Sequence, residues 1–168
     1  MGIGLLLLRL VVGLTLAAHG SQKLFGWFGG GGIDGTGNAL AQLGFTPGRR
    51  SALLAGLAET GGGLLLALGL ATPLASAVLV GVMLVAIVSA HLKQGFFNMK
   101  GGYEYPLVLA VAVSSLAFTG PGPFSVDALL GLDLASPEWG TAALLAGLAA
   151  GGFLLANRRV AAPQPQGA

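Results

Sequence analysis

Charged side chains are so scarce in this chain that no water-facing surface can be built around a core. Asp, Glu, Lys and Arg make up 8% of its 168 residues, against roughly a quarter in a soluble domain. The apolar remainder is gathered into five stretches, 3–25, 51–71, 73–92, 105–119 and 139–156. Bilayer hydrocarbon is about 30 Å thick, and a helix rises about 1.5 Å per residue, so these lengths predict membrane spans, the fourth being the shortest. The expected fold is all-α, a polytopic membrane helix bundle. Thr72 and Pro73 separate the second and third spans, and proline, which lacks a backbone donor, predicts a tight hairpin there.

Positive residues are retained on the cytoplasmic side of a membrane. With five spans, Lys23, Arg49, Arg50, Lys93, Lys100, Arg158 and Arg159 fall on one side, and Asp127, Asp133 and Glu138 on the other. This places the amino terminus outside and the carboxyl terminus in the cytoplasm of a prokaryotic plasma membrane. The opening run lacks a positive n-region and carries Arg9 within its apolar part, which argues against a cleaved signal. Position 6 is leucine, so the myristoylation pattern fails too. Eight basic residues spread along a lipid-soluble chain give no patch dense enough for nucleic acid. There is no cysteine, hence no disulfide and no thiol chemistry.

Residues 26–48 read as a glycine-rich loop, with a short amphipathic stretch over 38–45 that Asn38 caps and that lays Leu40, Leu43 and Phe45 on the membrane surface. The loop ends in no G-K-S or G-K-T and follows no strand, so it is not a phosphate-binding loop. Trp27, Phe28 and Trp139 stand where interfacial aromatics belong. Gly13, Ala17 and Ser21 in the first span, and Ala143, Gly147 and Gly151 in the last, recur at intervals of four and form smooth stripes for close helix contact.

Ionisable residues inside spans are the informative exceptions, since each costs about 2.5 to 3.5 kcal/mol at the bilayer centre. Arg9, His19 and Lys23 share one broad stripe of the first helix. Glu59 lies roughly 12 Å into the second span and is the deepest carboxylate. His91 ends the third span and Glu104 opens the fourth. The expectation is a polar cluster of Arg9, His19, Lys23, Glu59, His91 and Glu104, with Glu59 pairing with Lys23 or His19, and Glu104 with His91 or Lys23. Asn98 and Tyr103 belong to its rim. Arg9 either snorkels outward or pairs inward with Glu59. Nothing in the spacing of the two histidines fixes a metal or haem site.

The stretches RLVVGLTLAAHGSQKLFG at 9–26, LAETGGGLLLALGLATPLA at 57–75, MLVAIVSAHLKQGFF at 83–97 and GGYEYPLVLA at 101–110, taken in order, resemble the DoxX family of bacterial and archaeal membrane proteins. The resemblance implies a four-helix membrane core and an association with redox metabolism, as a subunit of a thiosulfate:quinone oxidoreductase or a membrane partner of enzymes that handle oxidants and sulfur. The fifth span departs from that pattern. The implied organisation is a four-helix core over 1–125, an outer loop and fifth helix over 126–157, and a disordered cytoplasmic tail over 158–168.

Three functions fit these readings. The first is a membrane subunit or anchor of a redox complex, using the polar cluster and working with a soluble oxidoreductase at the cytoplasmic face; no cofactor is required, and a quinone is admitted. The second is a small-solute or proton transporter, although no inverted repeat or broken midplane helix supports it. In the third the cluster is purely structural and fixes helix register. The bilayer is the one certain partner, and a homo-oligomer stays open.

Overall fold

A computed structural model describes residues 2–159. Among these it contains helices and no strands: α1 (Gly2–Phe25), α2 (Gly32–Gln42), α3 (Gly48–Leu68), α4 (Thr72–Ala86), α5 (Glu104–Thr119), α6 (Val126–Leu129) and α7 (Pro137–Ala156). α4 does not stop at Ala86: its backbone widens into a π-helical turn over Ile87–His91 and tightens into a 3₁₀ turn over Leu92–Gln94. Four helical segments, Gly2–Phe25, Gly48–Leu68, Thr72–Gln94 and Pro137–Ala156, are long and apolar enough to cross a membrane, and Glu104–Thr119 is a shorter apolar helix.

α1, α3, α4 and α5 form a ring, and α7 packs outside it against α4 and α5. Inside the ring Leu16, Leu66, Leu79, Val113 and Leu116 are fully buried. Many large apolar side chains on the outer faces are exposed, Ile3, Val11, Leu54 and Val108 among them, as expected where the surrounding solvent is lipid.

Glycine governs two of the helix contacts. A Cβ on Gly13 would lie 2.5 Å from the Gly63 carbonyl oxygen, and one on Gly63 would lie 2.5 Å from that of Gly13. The α1 and α3 backbones therefore touch, antiparallel, at a distance that no other residue type permits. A Cβ on Gly147 would meet the Ala77 carbonyl oxygen at 2.6 Å, and one on Gly151 the Gly81 carbonyl oxygen at 2.8 Å. Those pairings advance together along both chains, so α7 runs parallel to α4. The chain between them must recross the bundle, and α5 with its flanking turns makes that crossing although 16 residues rise only about 24 Å.

The α3–α4 hairpin sits where Pro73 predicts it. Gly69 (φ 63°) ends α3 in a left-handed conformation, with Leu70 N–H donating to the Leu65 carbonyl (2.9 Å) and Gly69 N–H to that of Leu66 (3.0 Å), the paired bonds of a Schellman cap.

The region 26–48 differs from the loop expected of it. It holds a 3₁₀ turn over Trp27–Gly29 and an 11-residue helix, α2, in which Asn38 lies in the interior and caps nothing. Four glycines in 31–37 lower the intrinsic preference for helix. Packing overrides that preference, since buried Gly37 brings α2 against Gly48 and Arg49 at the start of α3. The expected disordered tail lies outside the described residues except for Arg158 and Arg159, and Arg159 N–H donates to the Gly44 carbonyl (2.8 Å).

Candidate functional site

Glu59 lies on the buried face of α3 that also carries Gly56, Gly63 and Ala67, the positions pressed against α1. Its side chain is 4% exposed and pairs with the Nζ of Lys23, in the last turn of α1. The two charges come from different helices and meet about 16 Å along α3 from its first residue. A lone carboxylate at such a place would be costly, and Lys23, whose side chain is 28% exposed, supplies its counter-charge. Next to Glu59, the Thr60 hydroxyl is buried without a hydrogen-bond partner.

One turn before Lys23, His19 links two further groups. Its Nδ1 lies 3.0 Å from Gln22 Oε1 and its Nε2 lies 3.0 Å from the Tyr105 hydroxyl on α5. The two rings stand edge to face with centroids 5.7 Å apart. Lys23, Glu59, His19 and Tyr105 thus gather at one end of the bundle from α1, α3 and α5.

His91, Glu104, Asn98 and Tyr103 are placed otherwise. His91 Nδ1 lies 2.7 Å from the Gly101 carbonyl. Glu104 accepts from the Asn98 backbone N–H (3.0 Å) rather than pairing with His91 or Lys23. Tyr103 packs edge to face on Phe96. These residues knit together the connection between α4 and α5. No hydrogen bond or ion pair joins them to Glu59 among the described residues.

Arg9 is at the opposite end of the bundle, and neither snorkels nor reaches Glu59. It is 2% exposed and donates through Nη1 to the Ala67 carbonyl (2.6 Å) and through Nη2 to the Phe124 carbonyl, while its Nε has no partner. The helical stripe it shares with Lys23 is real, but fourteen residues along a helix separate the two by about 21 Å in depth. At the same end of the bundle Asp127 is fully buried and accepts from Ala71 N–H (2.7 Å), Thr72 N–H (3.0 Å) and the Thr72 hydroxyl (2.8 Å). Asp127 is held in turn by α6, which Ser125 caps.

Sequence reasoning missed Tyr105, Gln22, Thr72 and Asp127. Gln22 was within reach of a spacing argument, three residues from His19 on one helix. Tyr105 and Asp127 meet partners 86 and about 55 residues away, for which local spacing gives no signal. No group of three His, Cys, Asp or Glu side chains among the described residues is placed to hold a metal ion. A groove of about 410 Å³ between α4, α5 and α7, lined by Leu84, Leu107, Val111, Phe118 and Leu148 among others, is apolar and includes none of the ion-pair residues.

No curated protein and no solved structure is found to match the chain. The model of the DoxX family matches residues 4–92, a segment that runs from α1 to the end of the π-helical turn and contains Arg9, His19, Lys23, Glu59 and His91. With more than half of its length matched in this way, on a bundle of apolar helices long enough to span a bilayer, this integral membrane protein belongs to the DoxX family.

Proposed function

We propose that this protein is a membrane subunit or anchor of a redox complex, in which the polar groups around Glu59 receive the head of a quinone-like molecule and exchange protons with it. The observation that carries this reading is the buried Glu59 carboxylate paired with the partly exposed Lys23, with His19 and Tyr105 near by. A buried ion pair adds little net stability compared with apolar packing, so its presence in an apolar bundle points to use rather than to support. Quinone reduction and oxidation take up and release protons, and acid and base groups at the membrane boundary supply that exchange. The redox association of the DoxX family points the same way.

The basic residues Lys23, Arg49, Arg50, Lys93, Lys100, Arg158 and Arg159 lie at the helix ends and connections of the Lys23 end of the bundle, which supports a cytoplasmic orientation for that end in a prokaryotic plasma membrane. A soluble oxidoreductase working with this subunit docks on the same face.

Equilibrium binding of a short-chain alkylbenzoquinone to the quinone-depleted protein in lipid nanodiscs tests the reading. Binding by the native chain that weakens about tenfold or more in Glu59→Gln supports it, a loss of the size expected for one charge-assisted hydrogen bond. Absence of binding by the native chain, or equal binding by the variant, removes it.

A further inference from the structure

The apolar groove between α4, α5 and α7 is long and narrow. It runs from Leu107 to Phe118, about 16 Å along α5, close to half of the roughly 30 Å of bilayer hydrocarbon. About 410 Å³ spread over that length gives a mean cross-section of about 25 Å². A helix with its side chains is about 10 Å across and needs about 80 Å². A single hydrocarbon chain therefore fits where another helix does not.

Glycine shapes the cleft. α7 rests on α5 where a Cβ on Gly140 would lie 2.3 Å from the Phe118 ring, and on α4 where Gly147 and Gly151 meet the carbonyls of Ala77 and Gly81. Phe118 bounds the groove at one end, and Ile87, where α4 widens into its π-helical turn, stands toward the other. Ser114 and Ser115 bring hydroxyls into the lining, but both donate within their own helix, to the carbonyls of Ala110 (2.8 Å) and Val111 (2.9 Å). The walls thus offer a ligand dispersion contact and no free hydrogen-bond donor. Thr72–Gln94 and α7 are both long and apolar enough to cross a membrane, so the groove between them opens onto lipid.

The two ends of the groove differ in charge. At the Ile87 end, the segments that continue its three helices carry Lys93, Lys100, Arg158 and Arg159, all exposed except half-buried Arg158. The acid that opens α5, Glu104, already accepts from the Asn98 N–H. At the Phe118 end stand exposed Asp133 and Glu138, and the one basic residue at that end of the bundle among the described residues, Arg9, is buried.

We infer that this groove binds one anionic phospholipid, with an acyl chain lying along α5 toward Phe118 and the phosphate at the basic end beside Lys93 and Lys100. The charge difference sets the direction of the lipid, and the groove length sets how much of the chain is covered. Two of the three walls, α5 and α7, lie beyond the residues 4–92 that match the family, and the assignment does not depend on the redox reading. A seated lipid fills the gap that α7 leaves beside α5 and so ties the fifth apolar helix to the ring.

The experiment titrates the full chain, delipidated in mild detergent, with phosphatidylglycerol and with phosphatidylcholine of identical acyl chains, and reads the bound mass by native mass spectrometry. The native chain is expected to retain one phosphatidylglycerol and to prefer it about fivefold or more, the contribution of roughly one lysine at a lipid surface. Lys93→Gln combined with Lys100→Gln is expected to lose most of that preference and to bind phosphatidylcholine as the native chain does. Ser114→Phe, which fills the groove, is expected to weaken both lipids about tenfold or more by overpacking. Independently of any variant, one equivalent of phosphatidylglycerol with a diazirine at mid-chain is expected to photolabel segments 107–118 and 144–148 and to spare the exposed α1 face at Ile3, Leu7 and Val11. Equal retention of the two lipids, a preference unchanged in the lysine variant, binding unchanged in Ser114→Phe, or labelling spread evenly over the outer faces overturns the inference. Retention of no lipid, or a bound mass that is instead a second copy of the chain, overturns it as well.

Discussion

Replacing Asp127 by alanine removes the acceptor that holds the start of α4. The carboxylate accepts from Ala71 N–H, Thr72 N–H and the Thr72 hydroxyl. The hydroxyl can turn to a new acceptor, but the two backbone N–H groups begin a helix and have no partner within it. Each buried donor left unpaired costs about 1 to 3 kcal/mol, so Asp127→Ala is expected to destabilise the bundle by about 2 to 6 kcal/mol. Asp127→Asn retains one acceptor oxygen and should lose about half as much. Unfolding in bicelles, followed by helical circular dichroism during detergent titration, measures both. A second arm locates Arg9: Arg9→Met combined with Asp127→Asn should depart from additivity, whereas Arg9→Met combined with Glu59→Gln should add to within about 0.5 kcal/mol, as distant sites do. An Asp127→Ala protein as stable as the native chain, or coupling of Arg9 to Glu59 instead of Asp127, would refute the placement of these groups.

Other substitutions probe the packing and the topology. Gly13→Leu or Gly63→Leu should force α1 and α3 apart and cost about 1 to 3 kcal/mol or more by overpacking, whereas Gly61→Leu, whose Cβ would meet nothing within 4 Å, should be close to neutral in the same unfolding assay. Because the chain has no cysteine, single cysteines can report sidedness in intact cells through a membrane-impermeant maleimide. Leu129→Cys should label from outside and Met99→Cys only after the membrane is opened; the reverse pattern would invert the orientation. Glu104→Gln should loosen the α4–α5 connection by about 1 kcal/mol or less, through a weaker bond to the Asn98 N–H at an exposed site, and should leave quinone binding at Glu59 unaltered.

How far the sequence reveals this molecule depends on the range of each interaction. The spans are legible because hydrocarbon imposes a length and a composition on every crossing helix. The Lys23–Glu59 pair is legible in outline because a charge in lipid demands a partner, and topology brings few candidates to the same depth. Arg9 is not legible from the same rule: helical period places it on the Lys23 stripe, but depth decides which partners it meets, and the carbonyls of Ala67 and Phe124 lie at its own level. The helix over Gly32–Gln42 is hidden because glycine propensity argues for a loop, and only the close approach of Gly37 to the start of α3 reverses it. Asp127 reads from sequence as a marker of the acidic side; its use as the cap of a helix some 55 residues earlier emerges only from tertiary packing.

The account turns on Lys23 and Glu59 interacting directly as charges inside the bundle. A double-mutant cycle of Lys23→Met and Glu59→Gln, with unfolding free energy measured in lipid, tests that most directly. Lys23→Met should cost about 3 to 5 kcal/mol by stranding the buried Glu59 carboxylate, Glu59→Gln should cost less because the Lys23 side chain is 28% exposed, and the double variant should lose markedly less than the sum of the two. Losses that simply add would mean that the two side chains do not meet, and the site would have no centre.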